Sequence, residues 1–204
     1  GTPKGVILTN GNLKANLEDV FHALNLQPGD MVFGFLPFFH SFGFLATLWL
    51  PLASGRRSFF HANPTDAGAI GELAVRERPT VMFATPTFLQ MYLRRCPADT
   101  FASLRLIVTG AEKMRPELAT AFHERFGVLP VEGYGTTELS PVVAINLPAE
   151  DHLMGRACGR VGSRSSTRYW MASAMCAVVT ESMCWSAAIV CETRSTFTYA
   201  RRLS

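Results

Sequence analysis

The sequence predicts an α/β fold, a largely parallel sheet with helices on both faces, and three observations carry that prediction. Short apolar runs recur through residues 1–148, helix-length stretches of one-sided apolar spacing lie between them, and proline or glycine marks most of the junctions. Strands that alternate with helices of about 10–15 residues are the signature of βαβ units, whose crossovers make the sheet parallel and cover both faces.

The elements follow in order. An apolar run at residues 5–9 leads to a helix that Asn10 or Asn12 can cap, with Leu13, Leu17, Val20, Phe21 and Leu24 at helical spacing. Pro28-Gly29-Asp30 is a turn before a strand at 31–36, and an apolar helix at 44–52 closes at Ser54-Gly55. A strand at 58–60 precedes a helix at 64–77, on which Ile70, Leu73 and Ala74 share a side and which Pro79 ends. A strand at 81–84 leads to a helix at 86–95 with Pro86 in its first turn. The last units are a strand at 104–108, a helix at 116–126 stopped by Gly127, and a strand at 128–131.

Composition changes near residue 150. The chain is 48% hydrophobic and 17% charged, which excludes a wholly disordered or collagen-like protein. Residues 1–151 hold 12 Lys and Arg against 14 Asp and Glu, whereas residues 152–204 hold 7 Arg, no Lys and only Glu181 and Glu192. All 12 prolines lie at or before Pro148, and four of the 5 cysteines lie after it. The expected division is therefore a family-like part, 1–156, and a tail, 157–204, that is disordered, fused or read in a shifted frame. The net charge of +3 is too small to imply a nucleic-acid partner.

Residues 31–55 contain no Asp, Glu, Lys or Arg and are long enough to span a bilayer, but Pro37, Pro51 and His40-Ser41 argue for a strand, a polar-tipped turn and a helix instead. The cysteines form no CxxC pair, and the chain opens on Gly1-Thr2-Pro3-Lys4 rather than a leader. That opening reads as an internal start, and a cytoplasmic location with reduced thiols is expected, the inner face of the membrane being the alternative.

Four segments could carry chemistry. In Thr2-Pro3-Lys4-Gly5-Val6, a lysine in a glycine-flanked loop could set a cation against phosphate oxygens, although taken alone the segment reads better as an ordinary turn and no GxxxxGK[ST] is present. Leu36-Pro37-Phe38-Phe39-His40-Ser41-Phe42-Gly43 is either a capped strand-to-helix turn or an aromatic pocket around one imidazole at the carboxyl end of a strand. Val108-Thr109-Gly110-Ala111-Glu112 is either a tight turn or a place of close backbone approach to a planar ligand. Glu132-Gly133-Tyr134-Gly135-Thr136-Thr137-Glu138 reads as a site. Its glycines leave the tyrosine face open for stacking, its hydroxyls suit phosphate oxygens, and its carboxylate suits a hard cation. His22, His61, His123 and His152 lack metal-ligand spacing, and neither GxSxG nor HExxH occurs.

In this order and spacing, the four segments resemble those of the acyl-adenylate-forming superfamily of AMP-binding synthetases and ligases. Gly110-Ala111-Glu112-Lys113-Met114, and Glu132 to Pro141 followed by Val142-Val143-Ala144-Ile145-Asn146, are most similar to the acyl-acyl-carrier-protein synthetase part of 2-acylglycerophosphoethanolamine acyltransferases. The resemblance implies an incomplete portion of the large N-terminal domain of such an enzyme. The implied reaction joins a long-chain fatty acid to ATP, giving acyl-adenylate and pyrophosphate, and then forms a thioester on acyl carrier protein or coenzyme A.

By the same resemblance, Lys4, Thr137 and Glu138 would serve catalysis, with Glu138 also holding Mg²⁺. Gly110, Ala111, Glu112, Gly133, Tyr134, Gly135 and Thr136 would bind the nucleotide, and Phe39 and His40 would border the acyl pocket. An absent acyltransferase domain would supply any peripheral membrane association. The family's later motifs are not found beyond Gly159-Arg160, so the chain reads as a fragment that is catalytically inactive alone or an interaction module.

Overall fold

The computed structural model describes residues 5–146. Lys4, the domain boundary at 156 and the tail at 157–204 lie outside them. Helix α1 (Asn10–Ala23) is followed by β1 (Met31–Gly34), then by a continuous helical stretch of α2 (Ser41–Gly43), a π-helix (Phe44–Trp49) and α3 (Leu50–Ser54). Next come β2 (Arg57–Phe60), α4 (Ala67–Glu77), β3 (Val81–Ala84), α5 (Pro86–Arg95), β4 (Leu106–Thr109) and α6 (Pro116–Phe126). The described chain ends with β5 (Pro130–Gly135), a 3₁₀ turn (Thr137–Leu139) and β6 (Val142–Ile145).

The strands form one sheet in the order β2-β1-β3-β4-β5-β6. All neighbours are parallel except β5 and β6, which run antiparallel. The α/β prediction is therefore met. From β1 the chain moves outward to β2 and then returns past β1 to β3, so the strand order reverses between β1 and β3. Open α/β sheets bind their ligands at such a reversal, beyond the carboxyl ends of the strands. Strands β3 and β4 are buried throughout, as strands covered on both faces must be.

Local chemistry sets the boundaries. Thr9, rather than Asn10 or Asn12, caps α1: its hydroxyl accepts the Asn12 N–H, while Asn12 Oδ1 accepts the Thr9 N–H at 2.8 Å, a reciprocal capping box. The apolar run at 5–9 forms no strand, and Ile7 is 93% exposed. Helix α4 begins at Ala67 rather than 64, because Asp66 accepts the Ala69 N–H and caps it there.

The stretch expected as one helix at 44–52 is instead widened at its centre. The Leu50 N–H bonds the Leu45 carbonyl five residues back, and Thr47 Oγ1 donates to the Gly43 carbonyl at 2.6 Å. Pro51 has no N–H for the turn before it, so the wider register sacrifices little there.

The amino ends of β1, β3 and β4 are tied by a charge cluster. Asp30 accepts from Thr80 Oγ1 at 2.7 Å, the Gln27 N–H at 2.6 Å and Arg105 Nε at 2.8 Å, and forms an ion pair with Arg105 Nη2. Burial alone would raise the Asp30 pKa, but these hydrogen bonds outweigh it and hold the carboxyl below its ordinary value. This cluster sits at the end of the sheet opposite the reversal crevice.

Candidate functional site

The carboxyl ends of β1, β3, β4 and β5 open into a cavity of about 390 Å³. Leu36, Pro37, His40, Ser41 and Phe42 enter it from the segment after β1, and Leu45 and Ala46 from the π-helix. Phe83, Thr85, Val108, Gly110 and Ala111 come from the ends of β3 and β4, with Phe88 on α5. The residues from Gly133 to Thr137 form another wall, and Val20 of α1 and Ile145 of β6 complete it. The lining combines apolar side chains, Val20, Leu45, Ala46 and Ile145 among them, with the hydroxyls of Ser41, Thr136 and Thr137.

On its other side, the Ala111–Tyr134 wall borders a recess of about 300 Å³ lined by Glu112, Lys113, Glu132, Ala144 and Asn146. Tyr134 is 43% exposed, so its ring is half free.

Several of the predicted residues converge. Gly110 lies so close to Phe42 that a Cβ on it would stand 3.2 Å from the ring, and Gly133 packs against the Thr109 carbonyl. Gly135 is closer still: a Cβ there would fall under 3.0 Å from the Pro141 carbonyl. Ala111 has a φ of 68°, a left-handed conformation that a side-chain-bearing residue adopts at a cost.

The segment expected to follow a strand ending at 131 is itself strand. β5 continues through Gly135, with a register shift at Tyr134/Gly135 where it meets β6. The strand β6 was not anticipated, although Val142 to Ile145 is an apolar run. Across the bend, the Thr136 N–H donates to the Pro141 carbonyl at 2.9 Å, closing a ring of backbone around the 3₁₀ turn that carries Thr137 and Glu138. Ser41 Oγ lies 2.9 Å from Thr137 Oγ1.

Other predicted residues stand differently. Glu112 Oε2 accepts the Thr87 N–H at 3.2 Å and the Thr87 hydroxyl at 2.6 Å, capping the first turn of α5. Glu132 Oε1 accepts the Met114 N–H. These three bonds pin the loop after β4. Phe39, expected at the acyl pocket, is 85% exposed, rests on His40 and does not line the cavity, where Phe42 lies instead. The reason is the turn at Pro37–His40, which sends Phe38 and Phe39 outward while Pro37 and His40 stay on the cavity. His40 reaches the rim, Glu138 is half-buried and without a hydrogen bond or ion pair among the described residues, and Lys4 lies outside them.

Ser41, Phe42, Val20 and Lys113 were not singled out from sequence. Ser41, Phe42 and Lys113 sit inside quoted motifs, whereas Val20 reads from sequence only as an apolar position of the first helix. Among the described residues no group of three His, Cys, Asp or Glu could hold a metal ion, and no helix is long and apolar enough to cross a membrane.

Comparison with known proteins agrees with this geometry. The chain is 35% identical over 152 residues to the long-chain-fatty-acid–CoA ligase of Yersinia pestis, covering 72% of this chain and 27% of that protein. It is 30% identical over 148 residues to the p-hydroxybenzoic acid–AMP ligase FadD22 of Mycobacterium marinum, covering 72% and 21%. Its fold superposes on a benzoate CoA ligase from Burkholderia xenovorans with a TM-score of 0.71 at 28% identity, over 79% of this chain and 33% of that one. The chain thus spans between about a fifth and a third of the proteins it matches. The family model for AMP-binding enzymes matches residues 1–168, running past the boundary expected at 156. With that match over most of its length, and a sheet whose carboxyl ends build the cavity beside Tyr134, the chain belongs to the AMP-binding enzyme family.

Proposed function

We propose that this chain forms the nucleotide- and acid-binding part of an ATP-dependent fatty-acid ligase. The enzyme would join a fatty-acid carboxylate to AMP with release of pyrophosphate, then pass the acyl group to the thiol of coenzyme A or an acyl carrier protein. One observation carries the reading: a single cavity is lined both by apolar side chains, Val20, Leu45, Ala46 and Ile145 among them, and by the hydroxyl and tyrosine groups of Ser41, Tyr134 and Thr137. An acyl chain suits the first and an adenylate the second. The likeness to a long-chain-fatty-acid–CoA ligase supports the acid class.

In this reading Tyr134 stacks on adenine beside Gly110 and Ala111, with Glu112, Gly133, Gly135 and Thr136 shaping the nucleotide wall. Attack of the carboxylate on the α-phosphorus builds negative charge on the phosphate oxygens. Thr137, held by Ser41, offers a fixed donor there, and Lys4 offers a cation from the loop before α1. Glu138 is the residue that would hold Mg²⁺, supplying charge neutralisation at the phosphates. One carboxylate without a competing partner fits an ion that takes most of its ligands from phosphate and water. His40 stands at the rim, where the carboxylate would meet the nucleotide. Residues 1–156 form the family part in this proposal, and 157–204 a separate tail.

A second reading is a module that binds nucleotide and acid without turnover of its own. Two measurements on the full chain separate them. Binding of a non-hydrolysable acyl-adenylate analogue supports both readings, and its absence overturns both. ATP–pyrophosphate exchange with a long-chain fatty acid supports the ligase alone, and its absence in a chain that binds the analogue leaves the module.

A further inference from the structure

We propose that Asn16 is a positioning residue for the adenylate wall: its side-chain amide stands in for a neighbouring strand at the free edge of β6 and so couples α1 to Tyr134–Thr137. The inference rests on the nucleotide reading of that wall for its functional meaning, but its geometry is independent of it. Asn16 is 6% exposed and lies on the α1 face that otherwise buries Leu17 and Val20. Its Nδ2 donates to the Val142 carbonyl at 2.7 Å, and its Oδ1 accepts the Val142 N–H at 3.1 Å. Donor and acceptor therefore meet both backbone groups of one strand residue, as an adjoining strand would.

β6 is the last strand of the sheet, and Val142 is paired through the bulge with Gly135. Both polar groups of Val142 bond the Asn16 amide in the partly buried interface with α1, where a lost partner leaves backbone groups to be satisfied anew. Asparagine is a poor choice for a helix interior, because its side chain competes for backbone hydrogen bonds. Its presence on a buried helix face is accounted for by the strand it completes. The loop between Gly135 and Val142 carries Thr137 and Glu138, so the carboxamide holds one foot of that loop while β5 holds the other.

The test uses the full chain with Asn16→Leu, which keeps the branching and number of side-chain heavy atoms and loses both hydrogen bonds, and Asn16→Asp, which loses only the donor while ionised. A protonated carboxyl regains an O–H donor beside its carbonyl acceptor, so the second variant repairs itself as pH falls. β6, the π-helix and α3, which pack on α1, carry no ionisable side chain; on α1 itself Lys14, Glu18 and His22 are exposed and Asp19 is half-buried. Asn16→Leu is expected to speed amide exchange across 133–142 by about tenfold or more while 81–84 stays unchanged, and to weaken AMP binding by about tenfold. Asn16→Asp is expected to reproduce both defects at pH 8 and to recover towards wild type near pH 5.5.

Unchanged exchange at 133–142 in Asn16→Leu overturns the proposal. So does a uniform loss of protection over all strands, or an Asn16→Asp defect indifferent to pH. If exchange follows the expectation but the wild-type chain binds no AMP, the coupling through Asn16 stands and the nucleotide reading of the wall falls.

Discussion

Ser41 and Thr137, 96 positions apart in sequence, share a hydrogen bond of 2.9 Å at the mouth of the cavity. One hydroxyl opens the helical stretch after β1 and the other opens the 3₁₀ turn after β5, so the bond joins two separate walls of the cavity. Removing it with Ser41→Ala leaves the Thr137 hydroxyl free to rotate. A neutral hydrogen bond between partly exposed groups is worth about 1 kcal/mol, so AMP affinity is expected to fall about fivefold with little loss of thermal stability. Calorimetric titration with AMP and a melting curve check both halves.

Tyr134 is expected to act through its ring rather than its hydroxyl. Tyr134→Phe keeps the stacking face and should bind AMP within about threefold of wild type. Tyr134→Ala removes the face and should cost tenfold or more, in line with about 1–3 kcal/mol for stacking of a base on an aromatic side chain. Equal losses in the two variants would shift the role to the phenol.

Gly135 is held by space, not by backbone conformation. A Cβ at that position meets the Pro141 carbonyl at a separation real structures avoid. Gly135→Ala must push β5 and β6 apart at the bulge and break the Thr136 N–H to Pro141 bond. Overpacking of this kind costs about 1–3 kcal/mol. The expected result is a lower denaturation midpoint together with loss of detectable AMP binding, whereas Gly29→Ala, whose site is open, should leave both unchanged.

Acid should weaken the fold through Asp30. Its folded-state pKa lies below the ordinary carboxylate value, so its contribution is present above about pH 4 and is lost as pH falls through the folded-state pKa. Asp30→Asn removes that dependence and costs about 2 kcal/mol at pH 7. The cost falls below the 3–5 expected for breaking a fully buried pair because the Arg105 side chain is 39% exposed. Urea denaturation at pH 7, 4 and 3 should show wild type converging on the variant at the acid end.

The parallel architecture was legible because its signals are local and redundant. β3 and β4 are continuous apolar runs, α5 begins at a proline after a threonine cap, and Gly127 ends α6 in a left-handed conformation. The motif around Tyr134 was legible for another reason: two glycines, a tyrosine, two threonines and a glutamate make little sense as a mere turn. Less visible was anything that depends on what a residue touches. The widened turn at Phe44–Trp49 follows from Pro51 and from Gly43 pressed against the Pro37 carbonyl, a contact between separate segments. Phe39 and Phe42 are interchangeable as aromatic residues in a motif, and only the roll of the turn sends one to solvent and the other to the cavity.

Alone, the order of residues determined most of the element types, the sheet class and the family, since apolar period, caps, breakers and motif spacing all act within a few positions of themselves. Tertiary structure decided which side chains face one another: Ser41 with Thr137, Asn16 with Val142, Asp30 with Arg105. Those pairs join distant parts of the chain, and their partners are specified by strand order and register, which become definite only when the sheet closes its hydrogen bonds and buries its faces together.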